Sequence, residues 1–306
     1  MTDPLSEMLA LVEARCLITG GFRAGGAWAI RFRPDAPVKL DAVVRGSCWL
    51  LVEGRPPARL ATGDAVVFND AGTAVLCSGP EVRPVEATEL AHAPEDGFAL
   101  AGRGEDVEVI GGHVELDAAT ADLFTSALPD VTHAAASSAE AAETRRLLEQ
   151  IMEERASARP GAGFATDQHA QLLLLQVLRI GLQRGALSHP GWLRLLADPQ
   201  LRPAVALLHG DPARAWGLAE LAAAVGMSRS HFAHRFREVS GQPPLTYLSH
   251  WRIRLAARAL RASDTTVAAL ADRLGYASES SFSHAFTRVA GTSPSRYRRD
   301  LRRMAR

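Results

Sequence analysis

A chain of 306 residues, 47% of them apolar, has the length of about two domains and enough apolar mass to fill both cores, so it reads as a soluble globular protein. No charged and apolar leader and no unbroken apolar helix is legible, and neither secretion nor a membrane partner is expected. Its zero net charge hides a split: residues 211–306 hold 16 arginines, no lysine and 7 acidic residues (net +9), while 1–210 hold 18 basic and 27 acidic residues (net −9). A compact basic segment attracts phosphate through counterion release, whereas an acidic one repels it.

In chain order, short apolar runs punctuated by glycine and proline predict strands at Ala27 to Arg33, Leu40 to Val44, Cys48 to Val52, Ala65 to Phe68, Val75 to Cys77 and Val107 to His113. Six or more such strands suggest a small β-barrel or sandwich. From Ser138 the apolar period becomes helical. Ala139 to Arg155 and Thr166 to Arg184 carry the stripes Leu147, Leu148, Ile151 and Leu173, Leu174, Val177, Leu178, separated by Ala158 to Gly163. This hairpin either covers the barrel or meets the same helices of a second chain. Gly185 to Pro190 predicts a loop, and a short Trp192 to Ala197 segment leads through Asp198-Pro199 into the basic part. The expected fold class is α+β: a barrel over 1–135, a helical hairpin over 136–190 and an all-α domain over 191–306.

The all-α part contains one pattern written twice. Leu218, Ala222, Gly226, Phe232, Phe236, Gly241, Pro244 and Tyr247 correspond to Val267, Ala271, Gly275, Phe282, Phe286, Gly291, Pro294 and Tyr297, offset by 49 residues up to each turn glycine and 50 beyond it. Helical periodicity on both sides of a glycine turn is the signature of a helix-turn-helix. In the first copy Ser228 is the expected N-cap of a helix over Arg229 to Val239. Burying Phe232 and Phe236 turns Ser230, Ala233, His234 and Arg237 outward. In the second, behind N-cap Ser278, Glu279, Ser280, Ser283, His284 and Thr287 point outward.

Such faces fit a major groove, and a connecting helix from Leu245 to Leu260 would hold the two units at a fixed separation; if that is about one helical turn of DNA, they address successive major-groove segments. Neither face carries the Arg–guanine or Asn–adenine fork. Phosphate contacts from Arg237, Arg288 and Arg298 are therefore expected to supply much of the affinity, and His234, Ser280, Ser283 and His284 most of the base readout.

The Trp216 to Gly226 helix and turn, Met227-Ser228, Phe232 to Phe236, Pro244 to Tyr247, Arg252 to Leu260 and the second copy ending in Pro294, Arg296 and Tyr297 closely resemble the AraC/XylS family of bacterial transcription regulators. The resemblance implies a seven-helix domain binding double-stranded promoter DNA, with RNA polymerase as a further partner if the protein is an activator. Gly46 to Leu50, Gly63 to Val67, Arg159-Pro160-Gly161 and Leu174 to Leu182 are similar to the cupin-like sensor of one AraC subgroup. That similarity makes residues 139–184 candidates for a homodimer interface, and such a regulator is expected in the cytoplasm.

An enzyme is not expected. Metal-dependent cupins gather histidines and a carboxylate in the barrel, but Lys39 to Val43 and Ala71 to Leu76 fill the corresponding segments, and only His92 and His113 occur in 1–116. No phosphate loop, GxSxG elbow or HExxH helix is present, so neither a metal nor another cofactor is expected. A barrel without metal ligands can still bind a small-molecule effector, for which Trp28, Trp49 and Phe68 are the candidate lining. Cys16, Cys48 and Cys77, odd in number and without a CxxC pair, fit a reducing compartment. Cys48 and Cys77 are the alternative, redox input. A cupin enzyme fused to a DNA-binding module is the competing reading.

Overall fold

The computed structural model describes residues 3–34, 36–92, 98–117, 120–136, 141–157, 159–183 and 190–304. The chain forms two compact units, one of residues 13–189 and one that joins 1–12 to 190–306.

The first unit is a two-sheet barrel. Its larger sheet runs β12 (Val131–Ala134), β6 (Ala65–Asn69), β3 (Val38–Arg45), β11 (Val107–Glu115), β1 (Arg15–Gly25), β10 (Ala99–Gly102) and β9 (Ala91–His92). The smaller runs β5 (Ala58–Ala61), β4 (Ser47–Val52), β7 (Ala74–Cys77), β2 (Ala29–Phe32) and β8 (Val85–Glu86). Trp28, Ile30, Val43, Leu50, Leu60, Val66, Phe68, Leu76 and Val109, drawn from both sheets and the adjoining turns, form one buried cluster inside.

The other face of the large sheet is covered as well. A short helix α2 (Ala121–Thr125) precedes β12, and the hairpin α3 (Ala141–Ala156) and α4 (Ala162–Gln183) follows it. α4 packs on β1, β12 and β6, with Ala170, Leu173, Leu174, Val177 and Leu178 buried. Double coverage explains why β6 is buried along its whole length and β3 along most of it, and why β6 reads as a nearly continuous apolar run, whereas β3 carries Lys39, Asp41 and Arg45 among its apolar residues. Asp64 secures the turn before β6: its carboxylate accepts from the backbone N–H of Ala61 and Ala136 and lies 3.0 Å from His133 Nε2. Burial alone would raise its pKa, but those three partners together hold it below the ordinary carboxylate value.

β1 is the longest strand of the barrel among the described residues, at 11 residues, and the periodicity did not mark it as one. Its glycines weaken the strand signal, yet Gly21 is required there, because a Cβ would lie 2.3 Å from the Val109 carbonyl oxygen. The loop expected over 185–190 lies, except for Pro190, outside the described residues, as do 139, 140, 158 and 184.

The second unit is all helical. Seven helices, α6 (Arg202–Gly210), α7 (Leu218–Ala224), α8 (Arg229–Ser240), α9 (Pro244–Ala262), α10 (Val267–Arg273), α11 (Glu279–Ala290) and α12 (Pro294–Met304), follow α5 (Trp192–Ala197). This unit also takes a helix from the far end of the sequence. α1 (Pro4–Leu11), whose N-cap Asp3 accepts from the N–H of Leu5 and Ser6, buries Leu5, Met8 and Leu11 and packs on α6 and α9. The sequence assignment of residues 1–135 to the barrel thus differs from the structure at 3–12, because this apolar face meets the helical core.

Candidate functional site

The two copies build the same local machine. In the first, α7 is followed by Gly226 in the left-handed conformation (φ +65°), and Ser228 Oγ caps α8 by accepting from the His231 N–H at 3.3 Å. In the second, α10 is followed by Gly275 (φ +71°), and Ser278 and Ser281 cap α11 reciprocally, each hydroxyl accepting from the other's N–H. Phe232 and Phe236 sit 5.6 Å apart edge-on, with Phe236 against Tyr247; Phe282 and Phe286 sit 5.8 Å apart, with Phe286 against Tyr297. All four phenylalanines are fully buried, which fixes the rotation of α8 and α11 about their axes.

That rotation leaves Ser230, His234 and Arg237 exposed on α8, with Ala233 half-buried at the edge of the face. On α11 it leaves Glu279, Ser280, His284, Thr287 and Arg288 exposed, with Ser283 half-buried. Ser230 and His234 therefore occupy the same helical positions as Ser280 and His284, one turn apart and opposite the buried rings.

Two candidates have internal partners. The Thr287 hydroxyl donates to the Ser283 carbonyl at 2.8 Å, and the half-buried Arg298 guanidinium donates to the Thr265 carbonyl, tying α12 to the loop before α10. Arg229, not among the residues expected from the sequence, is also exposed in the first turn of α8, directly after the N-cap.

One side chain links the copies. Arg252 on α9 donates to the carbonyls of Pro212, Ala213 and Arg214, and its guanidinium lies 5.6 Å from the Tyr276 ring centroid. The loop it holds touches the second turn, where a Cβ at Gly275 would stand 1.9 Å from the Ala213 carbonyl oxygen. Gly226 has no atom within 4 Å of such a Cβ, so close approach belongs to the second turn alone.

In the barrel, Trp28 and Phe68 are buried in the core, edge-on to Phe22 and Phe32 respectively, and Trp49 is half-buried. None of the three lines the open part of the lumen. That space, about 230 Å³, is bounded by Gly20, Phe22, Phe32, Lys39, Asp41 and Gly111 among others. Cys16, Cys48 and Cys77 are buried, and burial pushes the thiols of Cys16 and Cys48 up to about 12, leaving little thiolate near neutral pH. Among the described residues no helix is long and apolar enough to cross a membrane, and no group of three or more metal-ligating side chains converges.

The family described as Cupin matches residues 3–183, and that described as Helix-turn-helix domain matches residues 221–300. A putative AraC-like transcription regulator of Streptomyces lividans is 41% identical over 97% of this chain and 98% of its own length. A second, from Streptomyces antibioticus, is 39% identical over 97% and 98%. The crystal structure of the DNA-binding domain of AdpA in complex with a target DNA is 34% identical over 35% of this chain and 96% of that one, with a TM-score of 0.33. A cupin domain followed by a duplicated helix-turn-helix, with near full-length identity to these regulators, places the chain in the AraC-like family of transcription regulators.

Proposed function

We propose that the chain is a cytoplasmic regulator that reads its promoter with α8 and α11 in successive major-groove segments, and whose operator affinity is set by a small molecule in the barrel lumen. The observation that carries this reading is the repeated outward pair, Ser230 with His234 and Ser280 with His284, held by equivalent buried phenylalanines. Arg229, Arg237 and Arg288 flank these pairs and would contact phosphate. The barrel acts as a sensor and performs no chemistry. A small molecule is favoured over oxidation as the input because the thiols are buried and held protonated.

A dimer would use the outer face of α4, where Phe164 is 73% and Leu172 48% exposed, since the buried stripe is consumed by the barrel. The reading is tested by competition binding of the full-length protein to its own upstream region and to random DNA of equal length. Specific regulators favour the cognate site by about 10³ or more. Equal affinity for the two contradicts it.

A further inference from the structure

The lumen has one unusual row. Gly20 on β1 pairs with Gly111 on β11, which pairs with Asp41 on β3, so two positions without side chains stand beside a charged one on three adjacent strands. A Cβ at Gly20 would meet nothing within 4 Å, whereas one at Gly111 would lie 3.0 Å from Asp41 Oδ1 and 3.2 Å from Lys39 Nζ. The missing side chain at 111 makes room for a Lys39–Asp41 ion pair, and the missing one at 20 leaves space beside it. Asp41 is almost wholly buried, Lys39 is a quarter exposed, and the ammonium sits 5.0 Å from the Phe32 ring centroid. Apart from Thr19, the rest of the wall is apolar, chiefly Phe22, Ile30, Leu76, Leu90 and Val109.

These surroundings select a ligand by charge and size. The ion pair is already neutral as a unit. A carboxylate would compete with Asp41 for Lys39 and add an uncompensated charge to an apolar lumen, and an ammonium would do the reverse. A hydroxyl donates and accepts at once, so it can accept from Lys39 and donate to Asp41 without separating them. At about 30 Å³ for each water-sized group, the 230 Å³ cavity takes about eight such groups, the size of a six-membered ring with a short substituent. Deepening the effector reading above, on which it rests, we propose that the barrel binds a small, neutral, hydroxyl-bearing aromatic molecule, its ring against Phe22 and Phe32 over Gly20 and its hydroxyl on the Lys39–Asp41 pair.

The test titrates benzyl alcohol, toluene, benzoate and benzylamine into the full-length protein without DNA, by calorimetry. Benzyl alcohol is expected to bind about tenfold tighter than each of the others. Gly20→Val, which fills the open space, is expected to weaken it by a similar factor with an unchanged thermal melt. The double variant Lys39→Met with Asp41→Leu is expected to bind toluene at least as tightly as benzyl alcohol. Benzoate or toluene binding the native protein as well as benzyl alcohol does, no binding by any probe, or an unchanged titration in Gly20→Val overturns the assignment. Selective benzyl alcohol binding with unaltered operator affinity supports this assignment and contradicts effector control. Operator release by another molecule, with none of these titrations, does the opposite.

Discussion

If they read bases as proposed, Ser230, His234, Ser280 and His284, being short or weakly directional, are each expected to contribute about 1 kcal/mol of discrimination, the low end for a base contact. His284→Ala should therefore reduce the preference for matched over mismatched operator about fivefold in competition binding, and unchanged discrimination would remove α11 from base readout. The arginines separate by environment. Arg237 is exposed, and its replacement by alanine should lower the slope of log affinity against log salt by about 1. Arg298 is tied to Thr265, and Arg298→Ala should instead lower the thermal stability of the helical unit and leave the salt slope unchanged. The outward positions on α8 and α11 were legible because two buried phenylalanines four residues apart fix a helix's rotation. The Arg298–Thr265 contact was not, because the two residues lie 33 apart in sequence. Lys39 and Asp41 were equally illegible as lumen residues, since a charged residue in a strand reads as outward until closure of the barrel turns its face inside.

At the scale of elements, the two turn glycines offer a paired comparison. Both adopt a left-handed φ, so alanine at either costs about 1 kcal/mol in backbone strain. Gly226→Ala should cost no more than that, its Cβ position being open, while Gly275→Ala must also displace the Ala213 carbonyl and should cost several times as much in urea unfolding. Equal losses would mean that the 212–214 loop does not abut the second turn. Arg252 holds that loop through three carbonyls, so it sets where the second copy stands relative to the first. The sequence made the helices of this unit and the central strands legible through apolar period. It concealed β1, whose glycines serve close strand contacts and an open lumen, and it left the use of the hairpin stripe undecided because an apolar stripe does not name its partner.

At the scale of the whole molecule, the helical unit is completed by α1 from the other end of the chain. Asp3 and the apolar run after it are legible as a capped helix, but nothing local says which unit receives it. Met8, fully buried, is expected to cost about 2–3 kcal/mol when replaced by alanine, with the loss appearing in the helical unit. Under α1, His209 lies 2.8 Å from the Tyr247 hydroxyl and 3.1 Å from Glu7, stacked 3.8 Å from Trp251. Burial lowers the His209 pKa, against the opposite pull of Glu7, and burial with nearby Arg254 and Arg288 lowers that of His250. The unfolded chain then binds protons that the folded one refuses, so stability is present above about pH 6.5 and falls as the pH drops below it. Urea unfolding should show that decline as the pH is lowered below about 6.5, with a shallower slope in His209→Phe; a flat native profile contradicts it.

The central claim is that one chain presents two equivalent reading helices to one face of DNA. Hydroxyl-radical footprinting of the full-length protein on its own upstream region tests it most directly. For each bound chain we expect two protected segments about 10 base pairs apart, with His234→Ala weakening one and His284→Ala the other. A single protected segment per chain, or one segment weakened by both variants, would contradict it.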